Sequence, residues 1–131
     1  MKGFFRRAVY WVPAVVWMGL IFYFSSLTEP VPGVSGKPYE ELASGLSHLL
    51  EYAGLTVWFI YGCKEGRLFD PDLSPRVLTS SAALAMLFGL TDEVHQIFVP
   101  GRSFQVKDLA INALGAGLAA AIIWGMRSRA A

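Results

Sequence analysis

The sequence predicts an all-α, polytopic membrane protein: four transmembrane helices, short loops and both termini in the cytoplasm. Composition points there first, since 54% of the 131 residues are apolar, only 16% are charged, and the mean hydropathy is +0.46. Arrangement is the stronger sign, because the charges fall in clusters between apolar runs long enough to cross a bilayer. A soluble chain of this size has no core large enough to hide four such runs. One membrane domain over residues 1–131 follows, with helices at about 8–27, 42–62, 77–99 and 108–126.

The first helix follows a basic start, Lys2, Arg6 and Arg7, and stays uncharged from Ala8 to Leu27. A signal peptide has an apolar part of only about 7–15 residues ending in small residues. This run is longer, carries Tyr10, Trp11, Trp17 and Tyr23, and has no Ala-x-Ala site, so it reads as a retained span. Pro13 predicts a mild kink, which membrane helices tolerate. Pro30, Pro32, Gly33, Gly36 and Pro38 mark a loop. The second helix is polar in its first half, with Ser44, Ser47, His48, Glu51 and Tyr52. A charged second loop, Lys64 to Arg76, leads to the third helix, which begins without charge and ends in Asp92-Glu93-Val94-His95-Gln96. Pro100-Gly101-Arg102 turns the chain, and Asp108 and Asn112 open the fourth helix. Trp11, Trp17, Trp58, Tyr61 and Trp124 read as interface anchors or packing.

Lysine and arginine counts set the orientation. The N-terminus, second loop and C-terminus hold eight (Lys2, Arg6, Arg7, Lys64, Arg67, Arg76, Arg127, Arg129); the other two loops hold three, Lys37, Arg102 and Lys107. The positive-inside rule then places the termini in the cytoplasm and loops one and three outside. At 1.5 Å per residue, His48 lies about 9 Å, Asp92 about 10 Å and Asn112 about 6 Å from the outer ends of their helices. Ser25 and Ser26 end the first helix on that side, so all four helices contribute polar groups to one layer.

Those groups are expensive there: a carboxylate in an apolar segment costs about 3 kcal/mol by insertion scales. Helical spacing puts His48 with Tyr52, Asp92 with Gln96, and Asp108 with Asn112 on shared faces, the last continuing through Gly115 and Ala119. Asp92 and Glu93 point about 100° apart, so at most one is expected at the centre. Arg102 is either an anion clamp or the partner of Glu93, Asp92 or Asp108. His48 is either a proton carrier or a polar link between helices. A divalent metal on His48, Asp92 and His95, together with Asp108, is the less favoured reading, because Asp-x-x-His is common by chance. Glu51 departs from the His48–Tyr52 face, toward water. Ser25, Ser26 and Ser47 lack a nucleophile motif, and the two at the helix end read as caps. The single cysteine, Cys63, excludes an internal disulfide, and no basic stripe indicates nucleic acid.

Taken together, Ser25-Ser26, His48-x-x-x-Tyr52, Asp92-Glu93-x-His95-Gln96, Pro100-Gly101-Arg102 and Asp108-x-x-x-Asn112-x-x-Gly115 resemble the VanZ-like family over nearly the whole chain. Ser44-Gly45 stand where family members often carry an acidic-Lys pair, so no lysine role carries over. The resemblance implies a small bacterial membrane protein, with a founding member associated with teicoplanin resistance; it supplies no reaction. Three readings of the polar layer follow. One is a hydrolase or transferase on a phosphate-bearing or lipid-linked envelope molecule at the outer leaflet. In it His48, Glu93, Asp92 and Asp108 are the catalytic set, and Arg102, Tyr52, Gln96, Asn112, Ser25 and Ser26 bind substrate. A second is a non-catalytic binder of lipid, drug or ion, and a third an accessory bundle whose polar groups only pin helices. The Gly115-x-Gly117 line would permit self-association.

Overall fold

The computed structural model describes residues 2–29 and 33–127, with side chains from Phe5 onward. Pro30, Pro32 and Arg129, and the side chain of Lys2, lie outside the described residues. All regular structure within them is helical: α1 (Lys2–Ala8), a 3-10 turn (Val9–Trp11), α2 (Val12–Ser25), α3 (Glu40–Cys63), α4 (Pro75–Gln96) and α5 (Val106–Arg127). Three stretches, Phe5–Ser25, Pro75–Gln96 and Val106–Arg127, are long and apolar enough to cross a membrane. α3 has 24 residues and is not among these three; its first half carries Glu40, Glu41, Ser44, Ser47, His48 and Glu51.

The first helix starts earlier than expected, at Lys2, and Pro13 does not kink its interior. Proline stands in the first turn of α2, where its missing N–H has no helical partner to lose, and the preceding 3-10 turn absorbs the change of path. The third helix stops at Gln96, three residues short of the expected Val99. The amides of Ile97, Phe98 and Val99 each reach back three residues, to Val94, His95 and Gln96, and Pro100 then blocks continuation. Ser74 caps the N-terminus of α4 through Val77 N–H, with Pro75 at its first position.

α3 is the central element and packs most extensively on α5, then on α4 and α2. Small residues make these approaches possible. A side chain at Gly115 would run into the Leu49 carbonyl, one at Gly54 into the Trp17 ring, and one at Gly62 into Trp11. Trp17 therefore serves as packing, and its indole N–H also donates to the Glu51 carbonyl at 2.8 Å. Tyr52, Leu55, Phe59, Ile21, Ala85 and Ala116 form one apolar core, and Ile60, Leu73, Leu78 and Ile123 a second. The outer surface is apolar too: Val15, Leu50, Leu87 and Ile122 are 65%, 64%, 60% and 59% exposed. Large residues bare on every side suit acyl chains better than water.

The two ends of the bundle differ. At one end, Lys64 Nζ meets Asp70 Oδ2 at 2.9 Å, Arg7 pairs with Glu65, and Arg127 donates to the Leu73 carbonyl. Hydrogen bonds from Lys64 above all, and from the Asp72 amide, hold the Asp70 carboxyl below its ordinary range. The other end gathers the residues singled out by the sequence.

Candidate functional site

The site is built from the end of α2, the first half of α3, the last turns of α4, the turn after it and the first turns of α5. His48, Tyr52, Asp92, Glu93, Gln96, Asp108, Asn112 and Ser25 are all buried there. Apolar packing of α3 against α4 and α5 fixes the helices, and the helical period then presents these side chains to one another.

His48 sits between α3 and α5. Its Nδ1 lies 3.1 Å from Asn112 Oδ1, and its Nε2 3.7 Å from Asp108 Oδ2. With the Asn112 carbonyl oxygen as acceptor, the ring proton is on Nδ1 and the Nε2 lone pair faces Asp108. The spacing of Asp108, Asn112 and Gly115 therefore reads as expected, one line on α5 lying against α3.

Asp92 and Glu93 are both buried, 2% and 0% exposed, and they face different neighbours. α4 is flanked on both sides, so two directions 100° apart both meet protein. Asp92 faces α2 and α3, beside Ser25 and Tyr52, and accepts from Gln96 Nε2 at 3.3 Å. Glu93 turns toward α5, and its Oε2 accepts from the Gln105 amide at 3.0 Å.

Arg102 does not pair with any of the three acids. Val99 to Arg102 form a tight turn, closed by Arg102 N–H to the Val99 carbonyl at 3.0 Å, with Gly101 at φ 80°. Proline then glycine at the two central positions, with positive φ at the glycine, is a type II turn. It sends the guanidinium back to Gln96, where Nη2 donates to Oε1 at 2.7 Å. Gln96 thus relays between cation and carboxylate, and Arg102 Nη1 stays buried with no hydrogen-bond partner.

Two of the expected site residues lie to the side. Ser26 Oγ donates to the Phe22 carbonyl at 2.7 Å and lies 3.1 Å from His95 Nε2, which therefore donates to it. The His95 ring stacks on Phe22 with centroids 4.2 Å apart. Asp92 and His95 accordingly do not join His48 as a metal set. The group brought together is His48, Glu93 and Asp108, with one donor atom from each within 4.8 Å of the others.

Glu51, read from the sequence as leaving the His48–Tyr52 face toward water, is half-buried. It lines a cavity of about 10 Å³ with Ser47, His48, Asp92, Gln96 and Arg102, about the room one water needs. The signal for it was present in the sequence, an acid three residues after His48 on the same helix. Outside Arg102, a polar cleft of about 160 Å³ is lined by Glu29, Glu40, Ser44, Gln105 and Asp108. On the membrane side, an apolar groove of about 690 Å³ runs along Trp17, Leu50, Gly54, Leu118 and Ile122. Ser47 and Glu51 line both this groove and the small cavity.

Residues 10–127 match the family described as VanZ/LLP1. The chain belongs to that family. The match takes in every residue of the polar cluster, from Ser25 on α2 to Asn112 on α5, together with the Pro-Gly-Arg turn. No curated protein and no solved structure gave a match. Within this VanZ/LLP1 chain, the sequence motifs that suggested the family are the ones that converge in space, with His95 and Ser26 as a flanking pair.

Proposed function

We propose that this VanZ/LLP1 protein lies in the bacterial cytoplasmic membrane and binds, and acts on, the phosphate-bearing headgroup of a lipid or lipid-linked envelope molecule at the outer leaflet. α3 is the fourth span in this reading, its polar half sheltered by the other helices and its lysine- and arginine-rich end in the cytoplasm with both termini. The observation that carries the proposal is Arg102, which is half-buried, bonded to a neutral glutamine and left with Nη1 unpartnered. A guanidinium held this way can take an anion without first breaking an ion pair.

The surroundings support an amphiphile over a soluble anion. Arg102 borders the polar cleft and the small cavity, and the cavity adjoins the apolar groove through Ser47 and Glu51. A headgroup at Arg102 would leave its chain beside Trp17, Leu118 and Ile122. In a reaction on that headgroup, Glu93 or Asp108 serves as base, His48 carries the proton, and Tyr52, Gln96, Asn112 and Ser25 orient the substrate. The proposal extends to a part in envelope-directed resistance such as that to teicoplanin, as the family resemblance implies.

Native mass spectrometry of the protein purified from membranes tests the reading. The wild type should retain a phosphate-bearing lipid that Arg102→Gln loses, whereas His48→Gln should keep the lipid and lose the resistance phenotype. Equal lipid retention by wild type and Arg102→Gln would overturn the assignment. Retention with an unchanged His48→Gln phenotype would leave a non-catalytic binder.

A further inference from the structure

We infer that His48, Glu93 and Asp108 form a binding site for one divalent transition-metal ion, with Asn112 positioning the histidine. Their donor atoms come from three helices and fall within 4.8 Å of one another, and all three residues are buried. The 3.7 Å between His48 Nε2 and Asp108 Oδ2 is long for a hydrogen bond. Two donors each about 2.1 Å from one ion lie about 3.4–3.6 Å apart at tetrahedral to trigonal angles, so this spacing suits a bridging cation.

An independent observation concerns Glu93. Its residue is fully buried, its Oε2 is engaged by the Gln105 amide, and its Oε1 has no hydrogen-bond partner. Among the described residues, no lysine or arginine lies within 4.0 Å of Asp92, Glu93 or Asp108. Buried carboxylates without a cation are strongly disfavoured, and an ion between two of them answers that cost. One neutral imidazole and two carboxylates sum to the charge a divalent ion balances.

The histidine is set for this role. The Asn112 carbonyl oxygen accepts from Nδ1 at 3.1 Å and so frees Nε2 as a ligand, the usual outer contact of a metal-binding histidine. A nitrogen with two carboxylate oxygens fits Zn2+, Mn2+ or Fe2+ better than the all-oxygen shells of Mg2+ or Ca2+. Three protein ligands leave a position open, and Asp108 also lines the polar cleft. On the lipid reading, that open position is where the phosphate of the proposed substrate would meet the ion, and with an ion bound His48, Glu93 and Asp108 would hold it in place of the base and proton-carrier roles given them without one.

The test uses full-length protein in detergent, stripped with chelator and titrated with Co2+ or Mn2+ without lipid. Wild type should bind about one equivalent of Co2+ with an imidazole-type absorption, and should melt at a higher temperature with it than without. Bound Mn2+ should show a directly coordinated nitrogen by pulsed electron paramagnetic resonance, lost in His48→Gln. Glu93→Gln, which keeps an acceptor for Gln105, should weaken Co2+ at least about tenfold, and Asn112→Ala should weaken it about 10-fold to 100-fold. Asp92→Asn removes an equally buried carboxylate outside the set and should leave affinity within about threefold, because it contributes only general field. Absence of a stoichiometric site in the wild type, or equal losses in Asp92→Asn and Glu93→Gln, would overturn the assignment. Both wild-type readouts hold even if a variant fails to fold. Lipid retention through Arg102 is measured separately, so either proposal can fail alone.

Discussion

His48 on α3 and Asn112 on α5 are 64 positions apart in sequence, and 3.1 Å separates Nδ1 of one from Oδ1 of the other. The contact ties the two most extensively packed helices at the level of the acids. Both side chains are buried, so bulk water does not compete for this bond.

Asn112→Ala should therefore destabilise the bundle by about 1–3 kcal/mol, the usual cost of stranding a buried donor. Thermal unfolding in detergent, followed by tryptophan fluorescence, measures it. A change inside the error of the melt would show that the His48 ring finds another acceptor and that the link is dispensable.

One turn further along α5, Gly115 lets the backbones of α3 and α5 approach, and an added methyl would meet the Leu49 carbonyl and the Ala53 amide. Backbone cannot yield as a flexible side chain can. Gly115→Ala should cost about 1–3 kcal/mol as overpacking, and should also draw Asn112 away from His48. Gly117, on the open face with no neighbour near a Cβ, should accept alanine with no loss of melting temperature. Helix propensity favours alanine at both positions, so equal losses at the two would mean that the close approach at Gly115 does not decide the outcome.

Much of this arrangement was legible in the sequence. Helical period alone placed Asp108, Asn112 and Gly115 on one line, and charge clusters marked the helix ends. What spacing cannot give is the number of neighbours a helix has. Asp92 and Glu93 point apart, yet both are buried because α4 has α2 and α3 on one flank and α5 on the other. The aim of Arg102 was equally hidden, since a positive φ at Gly101 decides it and no periodicity describes a turn. The metal reading from the sequence took Asp92 and His95 as a spaced pair with His48 and Asp108, whereas the packing keeps His48 with Asp108 and brings Glu93 in place of that pair.

The loop between α3 and α4 offers a pH test outside the membrane. Lys64 and the Asp72 amide depress the Asp70 carboxyl, so the charged form is favoured in the folded state. A depressed carboxyl stabilises above its unfolded value, about 3.9, and loses that stabilisation as pH falls through the lower folded value. Asp70→Asn should thus melt below the wild type at neutral pH, with the gap closing only under pH 4 or so. Melting curves of both proteins across that range supply the comparison, and a gap constant down to the acid limit would assign the loss to geometry and not to charge.

Orientation is open to a labelling experiment, because the two ends of the bundle carry distinct accessible positions. Cys63 is the single cysteine and is exposed at the end of α3 beside Lys64, whereas Ser103 is exposed just past the Pro-Gly-Arg turn at the opposite end. With the lysine- and arginine-rich end inside, a membrane-impermeant maleimide should leave Cys63 unmodified in intact cells and modify it after lysis. In a Cys63→Ser, Ser103→Cys protein the same reagent should react in intact cells. The reverse pattern would put Arg102 and the polar cleft in the cytoplasm, and a headgroup of the outer leaflet could then not reach them. Since each protein carries one thiol, the two reactions cannot be confused, and the lysed sample shows that each thiol is reactive at all.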